Sequence, residues 1–265
     1  MDITMVLIAA AIVAGLGLLI GILLGVVGKV FEVEVDEKEV AIRELLPGNN
    51  CGGCGYAGCD ALAAAIAKGE AKAGACPVGG SAIAAQIAEI TGGSAEVEHN
   101  VAFVKCAGTP DKATENYKYT GNMNCREAAG LVSGGSKGCS FGCLGYGSCV
   151  AVCEFDGVTI RNGVAFVNKE NCVACGKCIN ACPRHLIELV PYDSKVKVRC
   201  QSTAKGKDVK AVCQAGCIGC GICMRNCPSE AITLENNIAH IDYSKCTGCG
   251  LCAGKCPVKI ILMEQ

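Results

Sequence analysis

The residues of this chain that could do chemistry are its cysteines, 24 of them in 265 residues. Three runs share one spacing, C-x2-C-x2-C-x3-C-P: Cys172, Cys175, Cys178 and Cys182; Cys217, Cys220, Cys223 and Cys227; Cys246, Cys249, Cys252 and Cys256. Disulfides join cysteines in pairs through a narrow geometry, which gives no reason to crowd three thiols into one loop. Thiolates wrapping a [4Fe-4S] cube do give a reason, because a tight loop sets three of them on three irons of the same cluster. Zinc ribbons use separated C-x2-C pairs, so a third cysteine in the loop and a trailing Cys-Pro set zinc aside.

In two-cluster ferredoxins the fourth cysteine of each run serves the neighbouring cluster. Carried to this chain, that rule gives one cluster to Cys217, Cys220, Cys223 and Cys256 and another to Cys246, Cys249, Cys252 and Cys227. A further pair is expected upstream. Cys172, Cys175 and Cys178 take Cys153, while Cys143, Cys149 and Cys182 lack a thiol, because Tyr146 stands where the later run has Cys220. Cys139 is the nearest substitute in sequence, and Cys125 is the alternative. Cys51, Cys54, Cys59 and Cys76, spaced C-x2-C-x4-C-x16-C, form a self-contained fifth group. With Cys139 used, Cys106, Cys125, Cys200 and Cys213 remain: either a sixth cluster at the joint of the two halves, or buried free thiols packed as small apolar side chains. Gly53 to Gly58 spells G-x-G-x-x-G but follows no predicted strand, so glycines bending round a cluster explain it better than a nucleotide loop.

Composition agrees with this chemistry. There are 35 glycines, no tryptophan and 4% aromatic residues, too little for a large aromatic core, so ligation must supply part of the folding free energy. A formal net charge of -1 excludes a polycationic nucleic-acid binder. His99, His185 and His240 are scattered without metal spacing, and neither a Walker loop nor a nucleophile elbow occurs. No site for bond chemistry on an organic substrate remains, which leaves electron transfer. Lys195, Lys197, Arg199, Lys205, Lys207 and Lys210 lie close in sequence with only Asp208 against them: a docking face for an acidic carrier, or a solvated loop.

The elements that must hold these thiols are legible in outline. From Ile3 to Gly28 no residue is charged, a length that as helix spans about 39 Å against a hydrocarbon core of roughly 30 Å. A transmembrane helix over residues 1–28 is expected, since a cleaved signal has a shorter apolar run and a basic start, where this chain has Asp2. Lys29, Lys38 and Arg43 follow it, so the soluble part is expected to face the cytoplasm from a single-pass position in the cytoplasmic membrane. Gly17, Gly21 and Gly25 offer a small-residue face to another helix. Residues 29–44 read as a linker and 45–93 as a small helical domain with one cluster. An internal repeat follows, VAFVKC with CSFGCLGYGSCVAVC against VKVRC with CQAGCIGCGICMRNC, giving two modules at 95–190 and 191–265. After the last cysteine of each group comes a β-favouring stretch, FDGVTI, HLIELV, EAITL or KIILM. The fold expected is α+β: an anchor helix, a helical single-cluster domain and two tandem two-[4Fe-4S] ferredoxin-like modules.

LPGNNCGGCGYAGC with the later CPVGG, the N-terminal anchor, and GCLGYGSC and GCIGCGIC in the two modules together resemble the B subunit of the Rnf complex, the ion-translocating ferredoxin:NAD+ oxidoreductase. The resemblance covers essentially the whole chain. It implies one component of a membrane translocase that takes electrons from soluble reduced ferredoxin and relays them to partner subunits, coupled to Na+ or H+ movement. The flavin, nicotinamide and ion sites would then lie in those partners. The competing reading is a stand-alone membrane-tethered polyferredoxin or redox sensor, and a non-redox scaffold fits least.

Overall fold

The computed structural model describes residues 3–30, 36–95, 97, 99–131 and 133–264. Helix α1 (Ile3–Val30) carries described side chains at Thr4, Leu7, Ile8 and from 12 to 27, all exposed. Among the described residues no helix is long and apolar enough to cross a membrane. Residues 31–35 of the expected linker, and Asp2, lie outside the described residues.

The rest of that linker is more than a connector. Asp36 caps α2 (Glu37–Leu45) by accepting from the Lys38 amide at 2.9 Å, and Glu37 and Glu39 suit the positive N-terminal end of the helix. Ile42 of α2 is fully buried with Leu46, Leu62 and Ile87, between α3 (Cys59–Ala67) and α4 (Gly80–Thr91). α4 stops at Gly92, whose left-handed φ of 70° costs a glycine little. The single-cluster region is thus a three-helix unit that includes α2.

The two repeats use the same elements in the same order. In the first, β1 (Asn100–Val104) leads through α5 (Cys125–Ala129) to α6 (Ser148–Ala151), the hairpin β2 (Val158–Arg161) and β3 (Val164–Val167), then α7 (Lys177–Ala181) and β4 (Ile187–Pro191). In the second, β5 (Val196–Val198) leads through α8 (Gly206–Val212) to α9 (Ile222–Arg225), the hairpin β6 (Ile232–Glu235) and β7 (Ile238–Ile241), then α10 (Leu251–Lys255) and β8 (Ile261–Met263). β1 pairs antiparallel with β4 and β5 with β8, so each repeat closes on itself through two two-stranded sheets. The hairpins turn at Asn162-Gly163 and Asn236-Asn237, all four with φ between 47° and 68°, as a primed two-residue turn requires. Each four-thiol loop enters its short helix through a left-handed glycine: Gly147, Gly176, Gly221 and Gly250.

Both cores are built from short aliphatic side chains and sulfur. Val104, Val158, Val164, Leu186 and Ile187 pack with Cys143, Cys149 and Cys178 in the first repeat; Val196, Ile232, Ile260 and Ile261 pack with Cys217, Cys223 and Cys252 in the second. A seam of backbone hydrogen bonds joins the repeats. The Thr114 amide donates to the Val212 carbonyl and the Gln214 amide to that of Lys112, while the Asn116 and Gly138 amides bind the same stretch to the carbonyls of Ser136 and Thr114.

Candidate metal centres

Nearest the N-terminus, Asn50 takes a left-handed φ of 46° and its side chain accepts the Cys59 amide at 2.8 Å, fixing where α3 begins. Cys54, Cys59 and Cys76 then share the core of the three-helix unit. Cys51 lies at the front of that loop, within electrostatic reach of Cys175. A β-carbon on Gly53 would stand 2.8 Å from the Cys175 carbonyl oxygen, so the two cysteine loops touch backbone to backbone.

Cys153, Cys172, Cys175 and Cys178 line one cavity of the first repeat. The next cavity departs from the expectation built on sequence distance: it is lined by Cys125, Cys143, Cys149 and Cys182, and Cys139 is absent from it. Hydrogen bonds explain the exchange. Asn124 caps α5 through the Arg126 amide at 2.8 Å and also accepts from Ser148, while Ser148 accepts the Cys125 amide at 2.9 Å. The start of α5 is thereby tied to the start of α6, one residue from Cys149. Tyr146 leaves the loop; its hydroxyl meets Ser136 at 2.7 Å and its ring packs on Tyr119 and the Cys125 segment.

Cys139 goes to the joint between the repeats, where Cys106, Cys139, Cys200 and Cys213 line a common cavity. Sequence distance assigns Cys106, Cys125, Cys200 and Cys213 to that joint, so Cys125 and Cys139 trade places. The cause is the backbone seam: residues 136–138 bond to 114–116, residues 112–114 bond to 212–214, and Lys137 Nζ donates to the Gly108 carbonyl at 2.6 Å. The site is pseudo-symmetric. Cys106 and Cys200 each stand two residues past the end of an equivalent strand, and Cys139 and Cys213 precede equivalent loops.

In the second repeat Cys227, Cys246, Cys249 and Cys252 line one cavity. Cys217 and Cys223 share the core of the second repeat with Cys256 packed against it, and Cys220 is exposed on the same loop, which leaves these four as the remaining group.

A cluster of iron and sulfide fits these sites on three grounds. First, the thiols line cavities in groups of four, as the ligands of a cube would. Second, backbone amides aim at sulfur, as they do around cluster ligands: Ala102 to Cys172, Ala165 to Cys143 and Gly157 to Cys153, at 3.3 to 3.4 Å. Third, Arg184 borders the Cys125 cavity with Nη1 buried and without a hydrogen-bond partner among the described residues, while its other terminal nitrogen donates to the Gly134 carbonyl. Burial pushes the thiols of Cys149 and Cys178 up to about 12 and those of Cys200 and Cys252 up to about 11, and a bound cluster would supply the positive charge that favours their thiolate forms.

The basic run is broken up by the fold. Lys197 is buried, paired with Glu264 at 2.8 Å, and Arg199 lines the joint cavity and reaches the Cys106 carbonyl. Lys195, Lys205, Lys207 and Lys210 stay at least partly in solvent. Motif spacing does not point to Arg184, Lys137 or Ser148. A comparison of the repeats does hold a signal, because Arg184 follows Cys182-Pro183 where the second repeat has Val258, and Ser148 stands at the place of Ile222.

Comparison with known proteins meets this geometry in three places. The family described as "Putative Fe-S cluster" matches residues 46–78, that described as "4Fe-4S binding domain" matches 165–188, and that described as "4Fe-4S dicluster domain" matches 216–260. Over most of its length the chain is 50% identical to the B subunit of the Na(+)-translocating ferredoxin:NAD(+) oxidoreductase complex of Acetobacterium woodii, covering 91% of this chain and 72% of that one. It is 43% identical to the B subunit of the ion-translocating oxidoreductase complex of Methanosarcina acetivorans, with 89% of each covered. It is 41% identical to the B subunit of the proton-translocating ferredoxin:NAD(+) oxidoreductase complex of Clostridium ljungdahlii, covering 86% and 81%. The chain belongs to the family of B subunits of ion-translocating ferredoxin:NAD+ oxidoreductase complexes, the Rnf complexes.

Proposed function

We propose that this chain is the electron-relaying subunit of such a complex, that it holds six [4Fe-4S] clusters on its 24 cysteines, and that soluble reduced ferredoxin is the donor. When bound, a cluster takes up and releases one electron without other chemistry. What the chain contributes is ligands, amide donors to sulfur, exclusion of water and short gaps. Two hydrogen bonds carry the reading: the Cys143 amide donates to Cys106 Sγ at 3.4 Å, and the Cys217 amide donates to Cys200 Sγ at 3.3 Å. The joint group is thus bonded to one ligand of the group on either side. With the Gly53 contact to Cys175, this supports one unbranched order. The order runs from the Cys51 group through Cys153/172/175/178, Cys125/143/149/182 and Cys106/139/200/213 to Cys217/220/223/256 and Cys227/246/249/252.

We place α1 in the cytoplasmic membrane, with the cysteine domains on the cytoplasmic side. The uncharged stretch to Gly28 and the exposure of its described leucines, isoleucines and valines support an anchor that other subunits or lipid cover. The coupling ion differs in the relatives' own names, sodium in one and protons in another.

Iron and sulfide analysis of oxygen-protected protein tests the cofactor content: about 24 irons fit six cubes, and about 20 remove the joint cluster. Mild detergent extraction tests the assembly, since a member of a complex brings hydrophobic partners with it and a stand-alone sensor comes alone.

A further inference from the structure

Around the six thiol groups the charged side chains are unevenly distributed. The cavity of Cys227, Cys246, Cys249 and Cys252 is lined by Val196, Ile232, Ile241 and small polar residues, with no cation among them. The cavity of Cys125, Cys143, Cys149 and Cys182 is lined chiefly by apolar side chains, Val104, Leu144, Leu186 and Ile187, with Ser148, and yet Arg184 borders it. One end of the guanidinium is held by the Gly134 carbonyl, in a turn closed by the Gly134 amide on Leu131 at 2.7 Å. Its Nη1 is buried and has no acceptor among the described residues. A buried cationic donor left unpaired is among the costliest features a fold can carry, so such an atom normally has a partner. The same guanidinium is within electrostatic reach of Cys139 as well as of Cys182, Cys125 and Cys143.

We propose that Arg184 is the counter-charge and hydrogen-bond donor of the cluster held by Cys125, Cys143, Cys149 and Cys182. By this it raises that cluster's reduction potential above that of its counterpart on Cys217, Cys220, Cys223 and Cys256. The proposal rests on the cluster assignment given above and adds to it a positioning and tuning residue. Reduction adds one negative charge to a cluster already surrounded by thiolates. A fixed cation in a poorly polarisable cavity favours the reduced form, and a donor aimed at sulfur acts in the same sense. At the equivalent place after Cys256-Pro257 the second repeat has Val258, which packs on the apolar core and supplies neither charge nor donor. Two clusters at equivalent places in the repeats therefore differ in affinity for the electron, and the better acceptor is the one in the first repeat.

The test uses the full chain, purified anaerobically in detergent with its clusters, titrated against potential and followed by electron paramagnetic resonance, with iron and sulfide counted in parallel. In Arg184→Gln the midpoint of one cluster is expected to fall while the others and the iron content stay unchanged. In Arg184→Lys, which keeps the charge and loses the planar fork, the same midpoint should fall by less. Unchanged midpoints in an iron-replete Arg184→Gln protein overturn the proposal. Should Arg184→Gln lose iron, the Lys variant is read instead: a single lowered midpoint supports the tuning role, and midpoints identical to wild type overturn it. Failure of the underlying assignment has a different signature, because Cys125→Ala would then leave the iron content at its wild-type value.

Discussion

The two ferredoxin-like repeats are nearly superimposable as lists of elements, and they solve the ligand problem differently. In the second, all three loop thiols come from one C-x2-C-x2-C run. In the first, Tyr146 stands at the place of the middle thiol and the fourth cysteine of the cavity comes from α5, on a segment between Cys106 and Cys139 much longer than the one between Cys200 and Cys213. What secures the import is polar: Asn124, Ser148 and the Cys125 amide form a small closed network where the second repeat has only Ile222. The lesson is that a group of four thiols is retained while spacing in sequence is free, provided that the supplying helix is tied to the receiving one. The same long segment forms the backbone seam to the second repeat. The substitution of a ligand and the joining of the modules are therefore one structural event.

The comparison breaks most sharply at the ligands. Cys125→Ala and Cys220→Ala, though far apart in their motifs, should have the same effect, each removing about four irons from about 24. Cys139→Ala should also remove about four, but from the joint, leaving the signals of the first repeat in place. The sharper form is Tyr146→Cys in the Cys125→Ala background, which returns the ligand to the position of Cys220 and should restore iron. If Cys139→Ala and not Cys125→Ala extinguishes the first-repeat signal, the import from α5 is wrong.

Those outcomes also show why part of the site is legible in sequence and part is not. The runs ending in Cys-Pro and the Cys51 to Cys76 group fix their members by local spacing, and spacing is written in the chain. The choice between Cys139 and Cys125 is not local: Cys139 is nearer by number, but the bonds of 136–138 to 114–116 carry it away to the joint, and sequence distance holds no record of them. Equivalence within the repeat is the better guide, because Cys139 matches Cys213, which lies at the joint too. The strands after each cysteine group are readable, and their hairpin partners β3 and β7 announce themselves through Asn162-Gly163 and Asn236-Asn237. The helix at the C-terminal end of the linker is hard to read because α2 has one apolar face of few residues, and Ile42 becomes core only once α3 and α4 are there to cover it.

Glycines that permit close approach rank next in expected effect. Gly145 has φ of 79° and a β-carbon there would lie 2.5 Å from the Gly163 carbonyl oxygen; its counterpart Gly219 has φ of 64° and the added atom would lie 2.9 Å from that of Asn237. Alanine at either costs about 1–2 kcal/mol for the left-handed backbone and roughly 1–3 kcal/mol more for overpacking, with Gly145 the worse of the pair. Chemical denaturation of the loaded protein measures this, and equal or reversed losses would show that the two loop-to-hairpin contacts are not equivalent. Gly53→Ala carries only the overpacking cost, about 1–3 kcal/mol, since its φ is ordinary. It should loosen the contact with Cys175 and slow electron exchange between the N-terminal group and the first repeat, leaving iron content intact.

The smallest effect is expected at the surface, and it concerns the element for which the first repeat substitutes its long insertion. α8 turns Val209 inward to line the joint cavity, while Lys207 and Lys210, three residues apart on the helix, stay in solvent beside Lys205. With Lys197 and Arg199 withdrawn toward the interior, these three lysines are what α8 offers of the basic run to an acidic carrier. A carrier seated there would face the joint cluster through one helix, in the middle of the relay instead of at its end. Replacing the three lysines by glutamate should slow reduction by ferredoxin by up to about tenfold at low salt. The difference should close as ionic strength rises and the screening length shrinks to roughly 10 Å at 0.1 M and below that at higher salt. Stopped-flow reduction at a series of salt concentrations reads this directly; rates that match wild type at low salt would move the docking surface away from α8 and back toward an end of the chain of clusters.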